Sequence, residues 1–184
     1  MEVVKVVLDT DNNKVVVIPE IIFKNKQNID WDEVEEYLRK YVGEVVEVEE
    51  TRKLIYIGNI LPDEYTSSKY TRSLKGARSK AKANATQGIK EMVRIASDEV
   101  HRENKKKKHC NSAANGWYYY TTRFAIPIYN NRLILEGYSV YSGRLVVQVH
   151  VNNRLYLYDL VNIKKETSNP LQIINNQVVQ NPFL

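Results

Sequence analysis

The chain has 184 residues, of which 43% are hydrophobic, and a formal net charge of +5, which is ordinary for one globular domain with a real core. Its only cysteine, Cys110, excludes an intramolecular disulfide, and no stretch approaches the length of a membrane span. Charges interrupt the first apolar run too early for a secretory signal. We therefore expect a protein that acts in the cytoplasm, of a host or of a target cell, and does not bind membranes.

The charge is unevenly distributed. Residues 1–64 hold eight basic and fifteen acidic side chains, whereas residues 65–184 hold nineteen basic and seven acidic ones. Either an acidic and a basic face of one fold attract each other, or an acidic module partly shields a basic functional surface. The composition changes near Pro62. We therefore expect an acidic α/β portion over residues 1–62, separate or part of the same domain, a basic domain over 63–171, and a hairpin or tail over 172–184.

Pairs of asparagines divide the apolar runs. Asparagine tolerates the left-handed backbone conformation that tight turns need, so each pair between two apolar or alternating runs is a hairpin candidate. The four pairs are Asn12-Asn13, Asn130-Asn131, Asn152-Asn153 and Asn175-Asn176.

Two helices are predicted. The first covers Trp31 to Val42, with Asp30 as its N-cap. The second covers Ile89 to about Asn104, where apolar residues repeat at helical spacing. A weaker helical pattern over residues 65–85 predicts a short helix and a basic loop. Because helices cluster before residue 110 and strands after it, we predict an α+β fold with helices packed on an antiparallel β-sheet.

The segment from Lys69 to His109 carries thirteen basic and four acidic residues, and an aromatic run follows it. Such a segment predicts a polyanion partner, RNA or DNA rather than a membrane. If the second helix continues, His101, Lys105 and His109 share one face. Imidazoles can move protons and lysine can stabilise a phosphate, so this set could cleave RNA without a metal. The alternative is a solvated basic helix end.

The stretch from Gly116 to Pro127 is a strand by propensity. Alternation puts four side chains on one face, which we assign to a cleft: Trp117, Tyr119, Thr121 and Arg123. An arginine among aromatic rings can clamp a phosphate while a base stacks nearby. The alternative is a core strand with an arginine at its rim. Past the last predicted strand, Lys165 and Thr167 could donate to phosphate oxygens.

No cofactor or metal is expected. The three histidines and the single cysteine lack the spacing of a zinc site, and the sequence has no glycine-rich phosphate loop.

Several sequence blocks resemble the large polyvalent protein-associated domains of phages and mobile elements, over residues 63–171. The blocks are Ser68-Lys69-Tyr70-Thr71, Ala81 to Ala85, Glu91-Met92, Asn104 to His109, Gly116 to Pro127, Leu155 to Asp159 and Ile163 to Leu171. These domains are similar to the barnase–EndoU–colicin–RelE group of metal-independent ribonucleases. The resemblance implies a barnase/RelE-like sheet and directs attention to seven residues: His101, Lys105, His109, Tyr119, Thr121, Arg123 and Lys165.

Two functional hypotheses follow. The first is a metal-independent ribonuclease-like toxin or effector that attacks RNA through its 2′-hydroxyl, with the first six of these residues as the catalytic set. Its substrate-binding residues would be Lys69, Arg72, Lys80, Lys82, Arg102, Lys106, Lys108, Trp117, Lys165 and Thr167. The second is a non-catalytic binding or inhibitor module that occupies nucleic acid or an acidic host protein. Nucleic acid, RNA first, is the expected partner, alongside an immunity or host-defence protein.

Overall fold

A computed structural model describes residues 3–24, 27–105, 113–166, 172–174 and 177–179. The strands are β1 (Lys5–Leu8), β2 (Lys14–Val17), β3 (Val45–Glu47), β4 (Leu54–Tyr56), β5 (Ser97–Arg102), β6 (Trp117–Tyr129), β7 (Leu135–Val149), β8 (Leu155–Lys165), β9 (Gln172–Ile174) and β10 (Gln177–Val179). The helices are α1 (Trp31–Arg39), α2 (Ile60–Ser67), α3 (Lys69–Ser73), α4 (Ala77–Ala85) and α5 (Ile89–Arg94), with a 3₁₀ turn at Thr86–Gly88.

The fold is α+β: helices pack with an eight-stranded, mixed and strongly curled sheet that forms a half-barrel. Its strand order is β1-β2-β6-β7-β8-β4-β3, and β5 also pairs with β6. The three long strands β6, β7 and β8 are antiparallel, but β2 joins β6 and β4 joins β8 in parallel. The prediction of an antiparallel sheet was therefore wrong at these two junctions, where the N-terminal hairpins dock onto the long strands.

The asparagine pairs mark hairpins, as predicted. Asn12 and Asn153 take left-handed φ angles of 60° and 63° in the β1–β2 and β7–β8 turns. In the β6–β7 loop, Asn130 instead accepts the backbone N–H groups of Arg132 and Ile134 with its side-chain oxygen. Strands β9 and β10 pair antiparallel on either side of the fourth asparagine pair, which itself lies outside the described residues.

The first predicted helix is confirmed, and the second is wrong over most of its length. Asp30 caps α1, where its carboxylate accepts the N–H groups of Asp32 and Glu33. Helix α5, however, ends at Arg94, and the chain then forms the edge strand β5 along β6. The open edge of β6 offers backbone hydrogen-bonding groups, and pairing with them prevails over the helical spacing of the apolar residues in this segment. Val100, predicted to belong to an apolar helical stripe, is 40% exposed.

Strand β8 pairs with β7 along one edge, and helices α2 and α3 lie against β8 beyond the short stretch where β4 pairs with its other edge. Strand β4 pairs with β8 only at Leu155 and Tyr156. Farther along β8, the Tyr70 hydroxyl accepts the backbone N–H of Ile163 at 2.7 Å, so a side chain satisfies a group that a strand would otherwise pair with.

A buried ion pair joins helix α4 to strand β8 of the sheet. The Lys82 ammonium lies 2.6 Å from the Asp159 carboxylate, and the two side chains are 0% and 3% exposed. Lys82 also donates to the Thr71 hydroxyl at 2.6 Å, and Thr71 in turn donates to the Tyr65 carbonyl. Burial raises the pKa of Asp159 and lowers that of Lys82, while their mutual attraction opposes both shifts. Lys82, which was expected from the sequence to bind substrate, is therefore buried inside the protein and does not line a solvent-filled cleft.

Removing one partner of this pair should destabilise the fold. We expect Lys82→Ala and Asp159→Ala each to lower the free energy of unfolding by about 3–5 kcal/mol, because an uncompensated buried charge remains. Urea unfolding measures the change, and Lys69→Ala, on the exposed part of α3, is the control. The double variant Lys82→Met/Asp159→Leu should lose less than the two single variants combined. Single losses below about 1 kcal/mol, the range of a surface pair, would contradict the assignment.

Candidate nucleic-acid interface

Strand β6 separates the helix-packed core from a second, half-buried face. Tyr120 and Phe124 are fully buried in the core cluster, as the predicted alternation requires. The odd-numbered residues Trp117, Tyr119 and Thr121 point to the opposite side and are partly exposed. The division between the two faces of this strand is therefore the one predicted from the sequence.

Two arginines from the neighbouring strands flank Tyr119 on this second face. Arg144 of β7 lies opposite Thr121, and Arg102 of β5 lies opposite Trp117. Their guanidinium carbons lie 5.2 Å and 5.8 Å from the centre of the Tyr119 ring. We call the set Arg102, Trp117, Tyr119, Thr121 and Arg144 the tyrosine–arginine face.

The two arginines have no acidic partner in the described part of the chain. Nine acidic residues there do form ion pairs, but none with Arg102 or Arg144. The ring of Tyr119 attracts both guanidinium groups through its electron-rich face. Two cations, an aromatic ring and hydroxyl groups on one face form an arrangement that can bind an anion.

Arg123 lies farther along the same side of β6, and acidic side chains surround it. Its Nε and Nη2 donate to the two Glu166 oxygens at 2.7 and 2.9 Å, and its Nη1 donates to Asp9 at 2.7 Å. These contacts raise the pKa of Arg123. They neutralise its charge and tie the β1–β2 hairpin and the end of β8 to β6. These contacts indicate that Arg123 stabilises the packing of β1, β2 and β8 on β6, rather than acting as the phosphate clamp expected from the sequence.

The pKa of Asp9 is lowered in the fold. Burial alone would raise it, but hydrogen bonds from the backbone N–H of Asn13 and from Arg123 outweigh burial. Next to this triad lies a cleft of about 470 Å³. Thr121, Arg123 and Arg94 contribute to its lining.

His101 lies on the other side of the sheet from Tyr119. It pairs with Tyr118 in the β5–β6 register, with the two ring centres 4.8 Å apart. Its Nε2 donates to the Asn115 carbonyl at 2.9 Å. The predicted helical face shared with Lys105 does not exist, because residues 97–102 form a strand; Lys105 follows that strand and is exposed. The structure thus separates His101 from Tyr119, Thr121 and Arg123.

A titratable cluster surrounds Tyr118 beside His101. Lys53 pairs with Glu99 at 2.5 Å and lies 4.0 Å from the Tyr118 ring centre. Tyr120 donates its hydroxyl hydrogen to Glu99 at 2.6 Å. Each charge in this cluster has a partner, which indicates a role in holding β5 and β4 to β6.

The remaining predicted substrate-binding residues are scattered. Lys69 and Arg72 are exposed on α3, whereas Lys80 and Lys165 line a second groove together with Lys24. Four predicted residues lie outside the described residues: Lys106, Lys108, His109 and Thr167.

Sequence reasoning missed Arg144 and Lys24. Arg144 precedes Leu145 in an alternating strand, so the pattern that buries Leu145 also places the arginine on the opposite face. Lys24 belongs to an irregular segment that carries no periodic signal.

Among the described residues, no three His, Cys, Asp or Glu side chains are grouped so that they could hold a metal ion. In the same residues, no helix is long and apolar enough to cross a membrane.

Comparisons with protein-family models, with curated proteins and with solved structures gave no match.

The Arg123 triad should make stability depend on pH. We expect Arg123→Gln to lower the free energy of unfolding at pH 7 by about 2–4 kcal/mol, because two partly buried carboxylates lose their cation. The folded pKa of Asp9 is below its unfolded value. Its contribution is therefore present above about pH 4, the unfolded carboxyl pKa, and is lost as the pH falls through the folded value.

The difference between wild type and Arg123→Gln should consequently shrink as the pH is lowered from about 5 to about 2. Urea unfolding at a series of pH values measures it, with Arg52→Gln, on an exposed turn, as the control. A difference of the same size at pH 3 and pH 7 would show that Arg123 does not act through these carboxylates.

Proposed function

We propose that this protein binds single-stranded nucleic acid, RNA foremost, at the tyrosine–arginine face. One observation carries the proposal: Arg102 and Arg144 flank Tyr119 without an acidic partner among the described residues. A planar guanidinium can donate two parallel hydrogen bonds to a phosphate, and an aromatic ring can stack on a base. Single strands suit this face because their bases are available for stacking.

Position and charge support the same function. Arg144 and Tyr119 are half-buried, so contacts to a phosphate there are screened less by solvent than at a fully exposed site. Residues 65–184 carry twelve more basic than acidic side chains, which favours approach of a polyanion. The paired cations Lys82 and Arg123 are excluded from this role because acidic residues already neutralise them.

A second candidate function is metal-independent cleavage of RNA. The hydroxyls of Tyr119 and Thr121 lie on the same face as two unpaired arginines, a set of donors that suits charge developing on a phosphate under attack. The antiparallel β6–β7–β8 sheet with helices on one side is compatible with the barnase/RelE-like architecture that the sequence resemblance implies. Because His101 lies on the opposite side of the sheet, it cannot transfer a proton on this face. Of the histidines in the predicted catalytic set this leaves His109, which lies outside the described residues.

Substitutions on the tyrosine–arginine face should weaken RNA binding. We expect Arg102→Ala and Arg144→Ala each to reduce affinity about tenfold, and their double variant to reduce the dependence of binding on salt. Tyr119→Leu should lose about 1–3 kcal/mol of binding energy, whereas Tyr119→Phe should retain stacking. Fluorescence anisotropy with a labelled single-stranded RNA at several salt concentrations measures both effects.

Arg52→Ala removes one positive charge from an exposed turn between β3 and β4 and serves as the matched control. Loss of affinity in Arg52→Ala equal to that in Arg144→Ala would show that only net charge matters. Unchanged binding in the Arg102→Ala/Arg144→Ala double variant would exclude this face.

The cleavage hypothesis has its own test. Incubation of the purified protein with tRNA and total RNA in EDTA should produce 2′,3′-cyclic phosphate ends, and expression should arrest growth. His109→Ala should abolish cleavage, whereas His101→Ala should retain most of it, because His101 lies on the other side of the sheet. No cleavage by the wild type, or cleavage undiminished in His109→Ala, would reject this hypothesis and leave RNA binding untouched.

A further inference from the structure

A second surface lies at the far end of the β6–β7 hairpin. There a groove of about 900 Å³ opens between the hairpin, the start of α4 and residues 20–24. Apolar side chains make up much of its lining: Ile21, Ile126, Pro127, Ile128, Leu133 and Tyr141. Ile126 and Tyr141 line this groove and are also buried members of the core cluster, so the floor of the groove adjoins the core.

The groove has a positive rim. Lys24, Lys80 and Lys165 line it, against the single acidic residue Glu20. Lys24 and Lys165 are exposed, and they belong to segments far apart in the sequence. A ligand that fits this groove combines apolar groups for the floor with negative charge for the rim.

The tip of the same hairpin exposes a run of aliphatic side chains. Leu133 is 84% exposed, Ile134 56% and Leu135 42%. Leu133 also lines the groove, so the tip and the groove form one continuous surface. Contiguous exposed apolar side chains rimmed by polar residues are typical of protein–protein contact sites.

The tip is already ordered by its own hydrogen bonds. The Asn130 side chain accepts the backbone N–H groups of Arg132 and Ile134 at 2.8 and 3.0 Å, and the backbone N–H of Asn130 donates to the Ile134 carbonyl. A loop held in this way loses little conformational freedom when a partner docks.

We infer that this groove is a docking site for an acidic segment of a partner protein that carries apolar anchor residues. Its anchors pack against Leu133 and the apolar lining of the groove, and its carboxylates pair with the exposed Lys24 and Lys165. A nucleic acid fits less well, since a phosphate chain would leave the aliphatic residues 133–135 exposed to water. The site is separate from the tyrosine–arginine face, because neither Arg102 nor Arg144 lines it.

The probe is a fluorescein-labelled synthetic peptide with a central Leu-Phe-Leu flanked by glutamates, and the assay is fluorescence polarisation with the full chain. We expect saturable binding. A peptide with serines in place of the three apolar residues, and one with lysines in place of the glutamates, should each bind at least about tenfold more weakly.

Two variants locate the binding. Lys24→Glu/Lys165→Glu reverses the rim charge, and Leu133→Ser/Ile134→Ser removes the aliphatic tip; each should weaken binding about tenfold or more. All four positions are exposed, so the core is untouched. The control Lys69→Glu/Arg72→Glu makes the same change in charge on α3, outside the groove lining, and should bind the peptide like wild type.

Arg102→Ala/Arg144→Ala should also keep its peptide affinity, which separates failure of this inference from failure of the proposed RNA binding. The inference is overturned by wild-type binding weaker than about 1 mM, or by affinity that neither groove variant changes. Displacement of the peptide by single-stranded RNA in the Arg102→Ala/Arg144→Ala variant would assign the groove to nucleic acid and overturn it as well.

Discussion

Strand β6 must satisfy two environments at once, and the rest of the structure depends on this constraint. Its even-numbered residues, such as Tyr120 and Phe124, are packed into the core beneath the helices. Because side chains alternate along a strand, its odd-numbered residues are then necessarily presented on the opposite face. Burial of the core residues thus fixes the position of Tyr119, and the partner strands β5 and β7 place an arginine on each side of it.

Four of the described cations fall into two physical groups. Lys82 and Arg123 are neutralised by carboxylates and connect parts of the fold that are distant in sequence. Arg102 and Arg144 have no such partner among the described residues. No ion pair within the described fold therefore explains why arginine occurs at these two positions. Two further ion pairs, Lys90 with Glu44 and Arg123 with Asp9, join the acidic N-terminal portion to the basic remainder of the chain.

Local rules predicted much of the fold. Asparagine turns, the Asp30 cap and the alternation in β6 are decided by residues close together in sequence, and these predictions are confirmed. The helix predicted through His101 failed because a long-range interaction, the pairing of residues 97–102 with the edge of β6, prevailed over local periodicity. The parallel attachment of β2 and β4 likewise depends on how distant segments dock, which no local pattern encodes.

The candidate site was predictable in part. Tyr119 and Thr121 were placed correctly on one face. Charge alone could not distinguish Arg123, which binds two carboxylates, from Arg102, which has no carboxylate partner in the described part of the chain. That distinction depends on where Asp9 and Glu166 lie in space. The separation of His101 from this face has the same origin, since it depends on the register of β5 against Tyr118.

The central claim is that RNA contacts the Tyr119 side of the sheet, and photocrosslinking tests it most directly. A single-stranded RNA containing 4-thiouridine is irradiated with the protein, and the crosslinked peptides are located by mass spectrometry. The account predicts crosslinks within residues 117–123, centred on Tyr119. Crosslinks confined to α1 or to the β3–β4 turn, with none on β6, would contradict it.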